Sequence, residues 1–131
     1  MAIIVGYTPT PEGEAALRHA VMEAGAHHED LVVVNVSATS DPPEKTFATE
    51  KELAQVGGLL STSGVSFTLR QLVRGKDPAE EIVGLAEDIA ASMIVIGLRH
   101  RTPVGKLLLG SNSQQILLDA SCPVVAVKAK R

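Results

Sequence analysis

Four stretches of this chain are aliphatic almost without interruption: Ala2-Ile3-Ile4-Val5, Leu31-Val32-Val33-Val34 (running on through Asn35 to Val36), Met93-Ile94-Val95-Ile96 and Val124-Val125-Ala126-Val127. A strand with one face in water alternates apolar with polar residues. Unbroken β-branched runs of this length read instead as strands buried on both faces, which a parallel sheet covered by helices on each side provides. A fifth run, Val65 to Val73, does alternate, with Val65, Phe67 and Leu69 on one side. It reads as a less deeply buried strand.

Helical patterns separate the runs. Pro11 can open a first helix after Thr10, with Leu17, Ala20, Val21 and Ala24 on one face. Asp41 and Glu44 flank Pro42-Pro43 with capping-box spacing, and Leu53, Val56 and Leu60 form the stripe of the helix expected to follow. Asp77-Pro78-Ala79-Glu80 predicts a third start, with Ile82, Ala86 and Ile89 facing inward. A last helix is expected from Gly110-Ser111, burying Leu117 and Ala120. Strand and helix thus alternate from one end to the other as one α/β domain over residues 1–131. Right-handed crossovers between parallel strands follow. In such a sheet ligands bind beyond the carboxyl ends of the strands, here the loops after Val5, Val36, Val73 and Ile96.

Composition narrows the function. Aromatic residues are 2% of the chain (Tyr7, Phe47 and Phe67), which disfavours a binder that stacks single-stranded bases. The net charge of -3 disfavours a general grip on DNA, RNA or an anionic membrane. Cys122 is the lone cysteine, so neither an internal disulfide nor a thiolate zinc site can form. Residues 1–30 show no secretory signal pattern, and the apolar runs are far shorter than the roughly 20 residues of a membrane helix. A cytoplasmic location is expected.

One segment carries a chemical signal. Between Ala91 and Leu118 there is no Asp or Glu, while Arg99, His100, Arg101 and Lys106 all fall there. The segment ends on Gly110-Ser111-Asn112-Ser113 at a predicted helix start. Free N–H groups, the positive helix end and small hydroxyl side chains there make an anion site. Gly97 is expected to let the backbone leave the strand sharply, and Gly110 to let a phosphate approach closely. Two familiar phosphate motifs are missing: Gly105-Lys106 is followed by Leu107, not Ser or Thr, and the first strand runs into Gly6-Tyr7-Thr8-Pro9 rather than G-x-G-x-x-G.

The spacing Gly97, two residues, His100, nine residues, Gly110-Ser111 resembles the nucleotide motif of the universal stress protein family, with His100 in place of the middle glycine. Arg74-Gly75-Lys76-Asp77-Pro78 and Cys122-Pro123-Val124-Val125-Ala126-Val127 resemble the same family, and the resemblance runs from the first strand to Val127. It implies a Rossmann-like open sheet of five parallel strands in the order 3-2-1-4-5, with four helices on its two faces. It assigns Gly97, Arg99, His100, Gly110, Ser111, Asn112 and Ser113 to ribose and phosphates, and Tyr7, Thr8 and Val36 to the adenosine end. ATP or AMP is the implied ligand, with cyclic AMP a further candidate and Mg left open. Thr8 stands where many members carry an acid, and Pro9 where they carry a glycine. The implied role is a stress-responsive sensor or regulator. The alternatives are a dimeric interaction module that has lost the nucleotide through His100 and Thr8, and a slow ATP hydrolase. No general acid or base is evident in the sequence. The resemblance also implies a homodimer in which Val124, Val125, Ala126 and Val127 pair with their twins. Val125→Lys or Val127→Pro is expected to break it.

Other polar residues read as structural. Asn35 is expected to satisfy backbone at a strand end. His27-His28-Glu29-Asp30 reads as a solvated turn and His19 as a surface residue. Cys122 reads as a packing residue, and Lys128, Lys130 and Arg131 as an exposed tail.

Overall fold

The computed structural model describes residues 1–38, 46–100, 107–108 and 110–129. The strands are β1 (Ala2–Gly6), β2 (Asp30–Val36), β3 (Phe67–Leu72), β4 (Met93–His100), β5 (Leu107–Leu108) and β6 (Val124–Lys128). The helices are α1 (Pro11–His27), α2 (Glu50–Ser61), α3 (Pro78–Asp88) and α4 (Ser111–Asp119). Five strands lie parallel in the spatial order β3-β2-β1-β4-β6, so the implied order 3-2-1-4-5 holds, the last parallel strand being β6. The two-residue β5 is an antiparallel addition against Arg99 and His100.

Period-two alternation divides the aliphatic runs between two cores. Ile3, Val5, Leu31, Val33 and Val95 point to one face, where α1 covers them with Ala16, Leu17, Ala20 and Ala24, and α2 with Val56 and Leu60. Ile4, Val34, Val36, Ile94 and Ile96 point to the other, against Ala79, Ile82, Leu85 and Ala86 of α3 and Ile116 of α4. The central β1 is fully buried at Ile3, Ile4 and Val5. The alternating run forms the edge strand β3, where Thr68 and Gln71 are exposed.

Helix starts follow local chemistry with some reassignments. Thr10 Oγ1 accepts from Gly13 N at 3.1 Å and Pro11 opens α1. The cap of α2 is Thr49, reciprocally bonded with Glu52; Asp41 and Glu44 lie outside the described residues. Asp77 makes no side-chain cap for α3. That service comes from Asn112 on α4, whose Oδ1 accepts from Ala79 N at 3.3 Å. Ile89 falls past the end of α3 and is exposed. On α4 it is Ile116, not Leu117, that is buried, because a helix this short presents a single inward turn to α3.

Candidate functional site

The crevice lies where the order reverses. From β1 the chain steps to β2 and β3 on one side; β4 and β6 fill the other. The carboxyl ends of β1 and β4 therefore diverge, and a cavity of about 320 Å³ opens there. That is near the lower end of the ~300–1,000 Å³ of small-molecule sites. The structure brings together at its wall Tyr7, Thr8, Val36, Gly97, Arg99, Gly110, Ser111, Asn112 and Ser113, nine of the ten residues singled out from the sequence. His100 ends β4, paired with Leu107. Its side chain, like Arg101 and Lys106, lies outside what is described.

On the β4 side the wall is cationic. Gly110 is the N-cap of α4 and has no side chain to satisfy the first N–H groups. Arg99 stands over that end, its Nη2 3.7 Å from where a Cβ of Gly110 would be. Among the described residues Arg99 has no ion-pair partner. A guanidinium and an uncapped helix N-terminus thus face one space, an arrangement that takes an anion. Gly97 does not turn the chain out of the strand as expected. β4 continues through it to His100, and Leu98 still pairs with Lys128. Its glycine is needed because α1 lies against it: a Cβ would meet the Glu12 carbonyl oxygen at 2.3 Å.

On the β1 and β2 side the wall is hydroxylic and apolar. Thr8, Thr10 and Thr46 border it, above Val34, Val36, Ile82, Ile96 and Ile116. Tyr7 bounds the cavity, but its ring is buried in the core under α1, and its hydroxyl donates to Glu14 Oε1 at 2.6 Å. Burial, then that bond to a carboxylate, push its pKa up. Asn35 has the structural role expected of it. Nδ2 donates to the carbonyls of Tyr7 at 2.8 Å and Thr46 at 2.9 Å, while Oδ1 accepts from Ala48 N and Gln71 Nε2. This amide pins the segment after β2 to the sheet and so places Thr46 on the wall.

Sequence reasoning missed Gly6, Thr10, Glu12, Val34, Thr46, Pro78, Ile82, Ile96 and Ile116. The strand-end rule alone could have found Val34 and Ile96, and the Asp-Pro helix start could have found Pro78. Elsewhere, His28 closes α1 in the left-handed region (φ 53) and His27 pairs with Glu23. Among the described residues no group of three His, Cys, Asp or Glu is placed to hold a metal ion. Cys122 packs against the α3–α4 core, and burial pushes its thiol pKa up.

The fold and this crevice define a parallel α/β domain with a cavity at its topological switch point, bordered by Arg99 and the N-terminus of α4. A sequence profile of the Universal stress protein family matches residues 1–128. A universal stress protein of Mycolicibacterium smegmatis is 44% identical, over 96% of this chain and 96% of its own. The chain belongs to the universal stress protein family. The structure of a universal stress protein from Archaeoglobus fulgidus superposes with a TM-score of 0.81 at 29% identity, covering 97% of each chain. An Archaeoglobus fulgidus universal stress protein in complex with dAMP shares the fold with a TM-score of 0.72 at 24% identity, over 97% of this chain and 96% of that one. Among the described residues no helix is long and apolar enough to cross a membrane.

Proposed function

We propose that this chain binds an adenine nucleotide in the switch-point cavity and acts as a sensor or regulator in a stress response. One observation carries the reading: Arg99 stands over the N-terminus of α4, which has no side-chain cap, on the wall of a cavity that also offers an apolar face. Phosphate sits against the N–H groups of Ser111, Asn112 and Ser113, with Arg99 closing over it. Asn112 brings its Nδ2 to this task, since its oxygen is held by Ala79. His100 keeps the phosphate-side place that the resemblance gives it. The base lies between Val36 and Ile82, below Thr8, and Tyr7 shapes the wall from behind. The dAMP complex of the Archaeoglobus fulgidus relative, built on the same fold, supports an adenine nucleotide as the ligand class.

Calorimetric titration with ATP, AMP and cyclic AMP, with and without Mg²⁺, tests the reading. Saturable binding of at least one nucleotide is expected. No heat and no thermal stabilisation with any of them would overturn it. Product analysis over hours of incubation with ATP separates a sensor from a slow hydrolase: the sensor returns ATP intact.

A further inference from the structure

Asn35 is 1% exposed, and all four hydrogen-bonding places of its amide are filled. The carbonyls of Tyr7 and Thr46 take the two Nδ2 hydrogens, while Ala48 N and Gln71 Nε2 donate to Oδ1. Nothing is left over for a ligand, and Asn35 is not on the cavity wall. What the amide does is decide what its neighbours can offer.

β1 and β2 pair in register from Ala2 with Asp30 to Gly6 with Val34. One step further, Tyr7 N still donates to Val34 O. A parallel ladder bonds a residue to the two that flank its partner, so the Tyr7 carbonyl would next accept from Val36 N. It accepts from Asn35 Nδ2 instead, at 2.8 Å. The Val36 N–H is therefore left without an acceptor among the described residues, and Val36 borders the cavity. The Tyr7 carbonyl also shares a planar trans peptide with the Thr8 N–H, so the two point in opposite directions. With the carbonyl held toward β2, the Thr8 N–H turns toward the crevice between β1 and β4, again with no acceptor among the described residues. The same amide seats Thr46. Among the described residues, 46–48 make no backbone-to-backbone bond to the sheet. Asn35 holds Thr46 O and Ala48 N, and Gln71 Nε2 donates to Ala48 O at 2.9 Å.

Resting on the proposed nucleotide site, we infer that Asn35 is its positioning residue at the nucleoside end. By taking the Tyr7 carbonyl it keeps the Val36 and Thr8 N–H groups open as donors to the ligand, and it seats Thr46 beside them. The phosphate end is built on Arg99 and α4 and shares no bond with Asn35.

Asn35→Asp, nearly the same shape, tests this. Its Oδ1 still accepts from Ala48 and Gln71, but a second oxygen now faces the carbonyls of Tyr7 and Thr46. The Tyr7 carbonyl is left to Val36 N, and the ladder closes by one bond. The intact parent and variant are titrated calorimetrically with AMP and with inorganic pyrophosphate. In the variant AMP is expected to weaken at least tenfold and pyrophosphate to stay within about threefold. Circular dichroism and a melting curve confirm that the variant folds. In amide-resolved NMR spectra of the parent, the Val36 and Thr8 signals are expected to shift on saturation with AMP and to stay in place with pyrophosphate. A folded variant that binds AMP as the parent does overturns the inference. So does one that loses AMP and pyrophosphate by the same factor, since general loosening then explains the loss. AMP that saturates the parent without moving either amide signal also overturns it, and leaves the nucleotide site standing. That measurement decides the matter even if Asn35→Asp fails to fold. Absence of AMP binding by the parent removes the inference together with the reading beneath it.

Discussion

A Cβ on Gly97 would lie 2.3 Å from the carbonyl oxygen of Glu12, so the first turn of α1 and the strand β4 approach as closely as they do only because residue 97 is glycine. The contact joins the opening of one helix to the far end of a strand across the crevice. It gives the first glycine of the sequence motif a structural reason independent of any ligand.

Gly97→Ala is therefore expected to cost stability. The neighbour that would have to move is backbone, and overpacking of this kind costs about 1–3 kcal/mol. Urea unfolding should show a lower midpoint with an unchanged slope. An unchanged midpoint would mean that α1 can shift freely, against its tight packing on β4.

Gly110 is the opposite case. Its φ of -67 is open to any residue, and the nearest described atom to a Cβ there is Arg99 Nη2, in ordinary contact at 3.7 Å. Among the described residues nothing demands glycine. Gly110→Val is expected to leave the unfolding midpoint close to the parent's and to weaken ATP at least tenfold, about 1.4 kcal/mol. Equal ATP affinity in both proteins would remove the phosphate from the α4 N-terminus.

Arg74 and Glu81 give stability a pH dependence outside the site. Nε and Nη2 of Arg74 donate to the two carboxylate oxygens of Glu81 at 2.9 and 2.6 Å, and the Glu81 side chain is almost wholly buried. The hydrogen bonds from Arg74 hold the Glu81 carboxyl below its usual range, against the opposing effect of burial. The folded value is the depressed one, so this contribution is complete above the unfolded glutamate pKa, near 4.3, and is lost as pH falls through the lower folded value. Denaturation midpoints from pH 7 to pH 3 should fall along the acid limb, and Glu81→Gln should flatten that limb. A variant with the parent's acid limb would assign the loss to other carboxylates.

The fold was legible because aliphatic runs and helical stripes agree over long stretches, and strand-end geometry then located the cavity. What stayed hidden is mostly tertiary. Asp41 with Glu44 and Thr49 with Glu52 offer the same spacing, but only Thr49 with Glu52 has the Thr-x-x-Glu form of a capping box, a local signal that the reading from Asp41 passed over. Thr49 caps α2 in the fold, where Asn35 and Gln71 fix the preceding backbone at Thr46 and Ala48. Asp77 looked like a cap, yet Asn112, distant in sequence, bonds the first turn of α3. The resemblance implies a place for Tyr7 at the adenosine end, and Tyr7 does border the cavity. Strand alternation continues through it and sends the ring to the α1 face.

The last prediction concerns β6. It pairs with β4, and among the described residues no strand lies on its other side. Ile94, the register partner of Val124, donates its N–H to Pro123 O at 3.0 Å. A parallel ladder bonds a residue to the two that flank its partner, so Val125 and Val127 turn their N–H groups to β4. Val124, Ala126 and Lys128 turn theirs outward, a free edge suited to a self-complementary pairing about a two-fold axis. The two variants expected from the sequence to break a dimer are thus poor choices. Val127→Pro would disrupt the β4 ladder, and Val125→Lys would enter the core under α1, where Val125 packs. Ala126→Pro removes an outward N–H and keeps the inward ladder. Light scattering over a dilution series is expected to show a dimer for the parent and a monomer for Ala126→Pro, with both folded by circular dichroism. A parent that stays monomeric at high micromolar concentration would exclude pairing through β6.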